Sequence, residues 1–297
     1  MKGFLVGRSA SVRIVALQPA LRWLQPLPNM HLIRQTLETH FFERPADVVV
    51  LPEAFNGMPV DVDPFAGSPS RKFLRTLAAA LGTTVVGGSI DMKVGDGPRR
   101  NTCFIVDASG RECGAYSKRV LFAHEQEHTT AGTSRGIFEV AGLRIGVLIC
   151  GDLWEPALAR ELLDEADVLC VPAKTTVPSD TFVAYARKLW WNLALTRAME
   201  NGLPVVISDW AAGRHEAVSS AHAQKVRAVH YTCGASSIVD PGRRPDFDTM
   251  QRTVTAGHKG IVEAEIDLEA VAAYRRYRRS VGLLPGGPES DKQSDAG

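Results

Sequence analysis

The chain has 297 residues, a formal net charge of +1 and a hydrophobic fraction of 45%. This length allows one large domain or two small ones, with a substantial core. The near-neutral charge does not favour a nucleic acid or a membrane surface as a partner, and no apolar run reaches bilayer-spanning length. Residues 1–18 lack the long apolar core of a secretory signal, and the five cysteines include no CxxC pair. We therefore expect a cytoplasmic protein with free thiols.

Apolar patterning predicts strands and helices that alternate along the chain. The predicted strands are Val12–Leu17, Val48–Leu51, Thr83–Ile90, Thr102–Asp107, Arg111–Ser117, Ile137–Val140, Leu143–Ile149, Ala166–Ala173, Leu203–Ser208, Ser236–Asp240 and Gly260–Ile266. The predicted helices are Asn29–Phe42, Arg71–Leu81, Ala157–Glu165, Thr181–Asn201 and Leu268–Arg279. Because no linker-like segment interrupts them, we expect a single α/β domain over residues 1–284. The polar tail, residues 285–297, is expected to be disordered or to lie on a partner subunit.

A nucleophile is indicated where the apolar run Ile145–Ile149 ends in Cys150 and Gly151. The segment Asp152–Pro156 then has the features of a helix start, with Asp152 as its cap. A cysteine between a buried strand and a helix lies on a sharp turn. Such a turn lifts the side chain out of the sheet and directs backbone N–H groups toward the atom under attack. We therefore predict that Cys150 is a nucleophile.

Charged residues at two other strand ends can supply the remaining catalytic groups. Glu53 follows strand Val48–Leu51 and a proline, and Lys118 follows strand Arg111–Ser117. A thiol is mostly protonated at neutral pH, so a nucleophilic cysteine needs a base. Glu53 can take its proton and later return it to the leaving amine. Lys118 and the N–H of Gly151 can stabilise the negative charge of the tetrahedral intermediate. This set predicts attack on an amide or nitrile carbon.

Three segments, in this order, resemble the motifs of a known family. LPEAF contains Glu53, YSKRVLF contains Lys118 and GVLICGDLWEP contains Cys150. With their flanking segments they resemble the carbon–nitrogen hydrolase (nitrilase) superfamily over nearly the whole chain. The resemblance implies a four-layer αββα sandwich, a Glu–Lys–Cys triad, no metal or other cofactor, and a homo-oligomer of two or more subunits. It also implies a second active-site glutamate, which by its distance from Gly132 is Glu125.

Two positions beside the nucleophile differ from many members of this superfamily. Gly151 stands where many have an aromatic residue, and Trp154 where many have an arginine. The CGDLW segment is closer to the cysteine motif of the glutaminase domains of NAD synthetases than to that of true nitrilases. We therefore expect hydrolysis of a non-peptide C–N bond in a small carboxamide or N-carbamoyl substrate through a cysteine thioester. An acyltransferase on the same triad, in which an amine replaces water, is the alternative.

A competing motif lies in HEQEH, where His124, Glu125 and His128 match the HExxH pattern of zinc hydrolases. That pattern needs an α-helix to place both histidines on one face. Residues Thr129–Gly132 follow at once, so a helix could not continue far, and we interpret the match as a coincidence. A zinc hydrolase is a less favoured alternative, as is an inactive family member that serves as an interaction module.

Weaker signals concern the substrate pocket. Lys174 follows a predicted strand and could bind a substrate carboxylate, although a solvated loop lysine fits equally well. Trp154 and Trp210 lie near strand ends and could either line an apolar pocket or pack in the core. Residues 59–70 and 175–180 are expected to form loops that shape the pocket. The expected partner is a small-molecule amide.

Overall fold

The structure is a computed structural model that describes residues 11–57, 68–93, 97–219 and 226–285. Most of the predicted loop over residues 59–70 and all of the tail from residue 286 onward lie outside these described residues. The strands are β1 (Ser11–Gln18), β2 (Val48–Val50), β3 (Thr84–Val86), β4 (Ile90–Lys93), β5 (Arg99–Val106), β6 (Glu112–Ser117), β7 (Ile137–Val140), β8 (Leu143–Val147), β9 (Val168–Pro172), β10 (Thr176–Val177), β11 (Val205–Ser208), β12 (Gly213–Ser219), β13 (Val226–Thr232), β14 (Ser237–Val239), β15 (Gln251–Thr253) and β16 (Gly260–Asp267). The helices are α1 (Pro26–Glu43), α2 (Pro69–Leu81), α3 (Pro156–Arg160), α4 (Val183–Asn201), α5 (Phe247–Met250) and α6 (Leu268–Ser280).

Two large sheets carry most of the strands. The first has the order β16-β1-β2-β3-β5-β4, with β6 paired to β5, and the second has the order β15-β14-β11-β9-β8-β7. Strands β1, β2 and β3 run parallel in the first sheet, and β8, β9 and β11 run parallel in the second. A small third sheet joins β10, β13 and β12. Because parallel strands end at the same edge of a sheet, each large sheet gathers several strand ends at one edge.

Alternation along β1 explains how the layers pack. Ile14 and Ala16 belong to a core cluster that also contains residues of the second sheet, whereas Val15 and Leu17 belong to a cluster with residues of α1 and α2. On the far side, α4 packs against β11 and β14. Both faces of the central strands are therefore buried, as their continuous apolar sequences require. The result is the expected four-layer αββα sandwich, with the sheets inside and helices outside.

The predicted strand Thr83–Ile90 is wrong as one element, because the chain bends between β3 and β4. Gly88 lies at the bend with φ +59°, and a Cβ at this position would lie 2.2 Å from the carbonyl oxygen of Pro52. The backbone thus needs a glycine to pass close to the segment that carries Glu53. The bend in the strand is a consequence of this contact with the neighbouring loop.

Other differences concern element ends and a missed hairpin. The predicted helix Ala157–Glu165 ends at Arg160 and continues as turns. Strands β12 and β13 pair antiparallel over Gly213–Ser219 and Val226–Thr232 but were not predicted, because their polar and basic residues hide the strand pattern. None of the helices in the described segments combines the length and the apolar character needed to cross a bilayer.

Candidate active site

Three strand ends meet at one edge of the sandwich. Glu53 follows β2 of the first sheet, Lys118 follows β6, and Cys150 lies beyond β8 of the second sheet. The two sheets are joined here because the N–H of Glu53 donates to the carbonyl of Ala173, just after β9, at 3.1 Å. The side chains of Glu53, Lys118 and Cys150 are at most 8% exposed. The structure thus brings together the residues that the sequence selected from three separate segments.

Cys150 begins a short 3-10 helix, Cys150–Trp154, and has φ +44°. This left-handed conformation is uncommon for a residue with a side chain, and it corresponds to the sharp turn expected for a nucleophile after a strand. The thiol Sγ lies 4.0 Å from the carbonyl oxygen of Lys174. At Gly151 a Cβ would lie 3.0 Å from the Val120 carbonyl oxygen. Within the described part of the chain, the amide of Gly151 donates no hydrogen bond, so it is available to an incoming oxyanion.

Lys118 is held between two carboxylates. Its Nζ donates to Oε1 of Glu53 at 2.8 Å and to Oε2 of Glu125 at 2.7 Å. Burial alone would lower the pKa of Lys118, but the negative charges of Glu53 and Glu125 raise it above its ordinary value. The pKa of Glu125 moves the other way: burial would raise it, but Lys118 lowers it. Lys118 therefore carries a fixed positive charge beside the thiol.

Asn101 completes the cluster and was missed by the sequence reasoning. Its Nδ2 donates to Oε1 of Glu53 at 2.8 Å and to Oε1 of Glu125 at 3.0 Å. It lies on β5, whose register with β6 pairs Thr102 with Ser117, so Asn101 is opposite Lys118. The strand register could have identified Asn101, because a polar residue that lies opposite a buried charged residue on the neighbouring strand faces the same site. Asn101 fixes the spacing of the two carboxylates.

The thiol of Cys150 stays protonated at rest. Burial raises its pKa well above the ordinary value, and the negative charge of Glu53 raises it further, while Lys118 opposes the shift. A resting thiol cannot attack a carbonyl carbon efficiently, because the thiolate is the nucleophile. The geometry therefore requires a base that takes the proton during attack, and Glu53 is the carboxylate whose charge acts on this thiol.

Asp152 fastens the Cys150 turn to the Lys118 segment. Its Oδ1 accepts the N–H groups of Arg119 at 3.0 Å and Val120 at 2.6 Å. Its Oδ2 accepts the N–H of Ile149 at 2.9 Å and the hydroxyl of Tyr116 at 2.8 Å. The expectation that Asp152 caps the following helix is wrong, because the N-cap of α3 is Glu155. Asp152 instead connects the strand ends that carry Lys118 and Cys150.

The HEQEH segment does not form an α-helix. It lies in a 3-10 helix, Ala123–Glu127, and the carboxylate of Glu125 is occupied by Lys118, Asn101 and the N–H of Phe122. The side chain of His124 lies outside the described residues. Among the residues that are described, no cluster of three or more histidine, cysteine, aspartate or glutamate side chains is arranged to hold a metal ion. The described geometry therefore gives no support to the zinc-hydrolase alternative.

A cavity of about 360 Å³ opens beside Cys150 and contains two of the three weaker candidates. Trp154 is 48% exposed on its wall and packs edge-to-face on Trp190. Lys174 also lines it. Trp210 does not: it is 1% exposed, and its indole N–H donates to the carbonyl of Glu53 at 2.7 Å. Trp210 thus packs behind Glu53 and holds its backbone in place.

Comparisons with known proteins identify the family of the chain. The family model for carbon–nitrogen hydrolases matches residues 11–276. A 2-oxoglutaramate amidase of Bacillus subtilis is 29% identical over 240 residues, which cover 77% of this chain and 82% of that protein. An N-carbamoylputrescine amidase of Solanum lycopersicum is 26% identical over 221 residues, 71% of this chain and 69% of that protein.

Solved structures share the fold. A branch 10 member of the nitrilase superfamily from Saccharomyces cerevisiae superposes with a TM-score of 0.73 at 23% identity, over 93% of this chain and 96% of that one. A carbon–nitrogen hydrolase from Helicobacter pylori gives 0.75 at 18% identity, over 93% and 96%. With the family model covering most of its length, the chain belongs to the carbon–nitrogen hydrolase family and is an enzyme that acts on carbon–nitrogen bonds other than peptide bonds.

Proposed function

We propose that the protein is a cysteine amidohydrolase that cleaves a small carboxamide or N-carbamoyl compound through a thioester on Cys150. The observation that carries this proposal is the convergence of a buried thiol, the Glu53 carboxylate and the Lys118 ammonium at one edge of the sandwich. A nucleophile, a base and a cation within reach of one another are what acyl transfer from nitrogen to sulfur requires.

Attack of Cys150 on the carbonyl carbon is coupled to proton transfer from its thiol to Glu53. Because the thiol pKa is raised, the proton leaves as the Sγ–C bond forms, and the base must lie within reach at that moment. Glu53 is oriented for this task by Lys118 and Asn101, which both bind its Oε1. Its second oxygen, Oε2, remains for the thiol proton.

The tetrahedral intermediate places negative charge on the former carbonyl oxygen. The Lys118 ammonium and the N–H of Gly151 are the donors that can stabilise this oxyanion. Lys118 is held in place before the substrate arrives, because Glu125 binds it at 2.7 Å, so the site need not reorganise during the reaction. We assign Glu125 the role of positioning that ammonium.

Collapse of the intermediate breaks the C–N bond. Protonated Glu53 gives its proton to the leaving nitrogen, which departs as ammonia or an amine and leaves the acyl group on Sγ. Glu53, again a carboxylate, then takes a proton from water, and the hydroxide adds to the thioester carbon. The second intermediate expels the Cys150 thiolate, which regains its proton from Glu53, and the carboxylic acid is released. No oxidant, reductant or metal enters this balance.

The named relatives support an amide as the substrate. Their names specify 2-oxoglutaramate and N-carbamoylputrescine, both of which carry a C–N bond at a carbonyl carbon. A cavity of about 360 Å³ beside Cys150 suits an acyl group of this small size. A cytoplasmic location and assembly into a homo-oligomer stay predictions.

Intact-protein mass spectrometry tests the proposal. The wild type and Cys150→Ala are incubated briefly with a panel of carboxamides and carbamoyl compounds, and ammonia release is followed in parallel. We expect a mass increase equal to the acyl group in the wild type alone, and no ammonia release above background from Cys150→Ala. Continued ammonia release by Cys150→Ala would overturn the thioester mechanism.

A further inference from the structure

Lys174 is a lysine at the active site that the proposed mechanism does not use. It follows β9, and its backbone carbonyl lies 4.0 Å from the Cys150 thiol. Its Nζ lies 4.0 Å from the ring centroid of Trp23 and 5.0 Å from that of Trp210. Within the described residues this ammonium makes no hydrogen bond or ion pair, yet its side chain remains partly exposed. It therefore has donors to offer to a ligand.

The carboxylates around Lys174 already have other donors. Glu53 and Glu125 lie within electrostatic range of Lys174, but Lys118 and Asn101 bind Oε1 of Glu53 and both oxygens of Glu125, and Oε2 of Glu53 is left for the Cys150 thiol. These two carboxylates form a closed cluster around Lys118. They attract the Lys174 ammonium through space without neutralising it by direct contact.

Asp209 is likewise unable to serve as the partner. Its carboxylate accepts the N–H groups of Thr175 at 2.9 Å, Trp210 at 2.9 Å and Ala235 at 2.8 Å, and also the Thr175 hydroxyl at 2.5 Å. With four donors the carboxylate has filled its acceptor sites. Burial lowers the pKa of Lys174 to about 8, and the surrounding carboxylates only partly offset this change. The cation is therefore held in a place where it lacks a counter-ion.

The charged side chain that lines the cavity beside Cys150 is positive. Among the described residues that line it, Lys174 has the only charged side chain, and no carboxylate or arginine is present. The walls are otherwise mainly aromatic and aliphatic, with Phe122, Trp154, Phe182 and Trp190 among them. A cationic group that approached Lys174 from this cavity would be repelled, whereas an anionic group would find hydrogen-bond donors on the ammonium.

We propose that Lys174 binds a carboxylate on the acyl part of the substrate, so that the preferred substrates are monoamides of short dicarboxylic acids. Trp23 and Trp210 hold the ammonium in position through their ring faces and leave its N–H donors free for the ligand. Lys174 thus determines specificity, whereas Lys118 stabilises the reacting oxygen. The inference rests on the proposed amidohydrolase function and adds the substrate class to it.

Three matched amides test the assignment. They are glutaric acid monoamide, pentanamide and 5-aminopentanamide, which are anionic, neutral and cationic. Ammonia release gives kcat/KM for the wild type, Lys174→Met, Lys174→Arg and the exposed-lysine control Lys72→Met. We expect the wild type to prefer the anionic amide. Lys174→Met should lose about 10- to 100-fold on that amide, the range of a charged hydrogen bond, and change little on pentanamide. Lys174→Arg should keep part of the preference.

A binding measurement separates this inference from the proposed function. Calorimetric titration of glutarate into the wild type and Lys174→Met reports carboxylate binding without catalysis. Binding that depends on Lys174, without turnover of any amide, supports the inference and speaks against the amidohydrolase. Turnover that is equal for the three amides, or reduced equally for all of them by Lys174→Met, overturns the inference and leaves the amidohydrolase standing. Absence of both turnover and glutarate binding overturns both.

Discussion

The site contains two lysines in opposite electrostatic situations. Lys118 is in contact with Glu53 and Glu125, and their charges raise its pKa although burial would lower it. Lys174 lies against the faces of two tryptophans, and burial lowers its pKa to about 8. Both follow strands at the same edge of the sandwich, so their position in the fold does not explain the difference. The difference comes from their partners, because Glu53 and Glu125 of the chain neutralise Lys118, whereas no carboxylate among the described residues contacts the Lys174 ammonium.

This difference matches the two roles that we propose, catalysis for Lys118 and substrate recognition for Lys174. A cation that must stabilise a transient oxyanion in every substrate needs a fixed position and a permanent charge, which two carboxylates provide. A cation that must select one class of substrate needs an open coordination shell, which aromatic faces leave available.

Replacing Lys118 by methionine should have the largest effect. Removal of the ammonium takes away an oxyanion donor and leaves two buried carboxylates unpaired. We expect kcat/KM to fall about 1,000-fold or more, and the free energy of unfolding to fall by about 3–5 kcal/mol. Steady-state ammonia release and urea denaturation measure the two quantities.

A second variant, Lys118→Arg, controls for the possibility that Lys118→Met loses activity because it misfolds. Lys118→Arg keeps the charge, but its planar fork does not match a site built for a compact ammonium. It should remain folded and still lose most of its activity. More than a tenth of wild-type kcat/KM in Lys118→Met would contradict the assigned role.

Asn101→Ala should have the next largest effect on catalysis. The substitution removes the donor that spans Glu53 and Glu125, so the two carboxylates lose their fixed spacing around Lys118. The loss of hydrogen bonds to charged groups predicts a decrease in kcat/KM of about 10- to 100-fold. Asn101→Asp should be worse, because it adds a third carboxylate to the cluster. The exposed Asn192→Ala serves as the control. A decrease in kcat/KM of less than threefold in Asn101→Ala would contradict the proposed role of Asn101 in spacing Glu53 and Glu125.

The pH dependence of substrate preference distinguishes the two lysines. The ratio of kcat/KM for glutaric acid monoamide to that for pentanamide cancels the pH dependence of the catalytic step, which both reactions share. Lys174 has a pKa of about 8 in the free enzyme, so its positive charge is present below pH 8 and lost above it. From pH 7 to 9.5 the ratio should fall about tenfold or more, since kcat/KM reports the free enzyme.

Neighbouring ionisable groups also affect the pKa of Lys174. Glu53, Glu125 and Asp209 raise its pKa, and His215, whose own pKa is lowered by burial and by Lys174, is neutral over this pH range. In Lys174→Arg the guanidinium does not titrate, so the ratio should stay constant between pH 7 and 9.5. A wild-type ratio that is equally constant would show that Lys174 does not contact the distinguishing carboxylate.

Whether the sequence alone predicts a site residue depends on whether a local pattern or a tertiary contact places that residue. Glu53, Lys118 and Cys150 were found because each follows an apolar strand, and a strand is visible in a local pattern. Asn101 depends on the register of the β5–β6 hairpin, and the Trp23 contact with Lys174 depends on two segments about 150 residues apart in the chain. Such contacts arise from tertiary packing, which local patterns do not encode.

The fold shows the same limit. Central strands were predicted because burial on both faces leaves a continuous apolar run, as in Val48–Val50. The bend at Gly88 was missed because it depends on the approach of the Pro52 carbonyl from another loop. Strand β12 was missed because its outward residues Arg214 and Glu216 are polar and pair with each other.

Tyr116→Phe should have the smallest effect and tests how the Lys118 side is supported. The variant removes the hydroxyl that donates to Asp152 at 2.8 Å, while Asp152 keeps the N–H groups of Ile149, Arg119 and Val120. We expect the free energy of unfolding to fall by about 1–2 kcal/mol and kcat/KM to fall less than about fivefold.

The stability deficit of Tyr116→Phe should depend on pH in a defined direction. Burial raises the pKa of Asp152, so this carboxyl takes up a proton earlier in acid than an ordinary aspartate. A hydrogen bond to the ionised form is the stronger one, so the deficit should be largest at neutral pH and shrink as Asp152 becomes protonated. Urea denaturation at pH 7 and pH 5 measures it for both proteins. A deficit that is equally large at pH 5 and pH 7, or larger at pH 5, would contradict the prediction, because protonation of Asp152 would then not weaken its hydrogen bond with Tyr116.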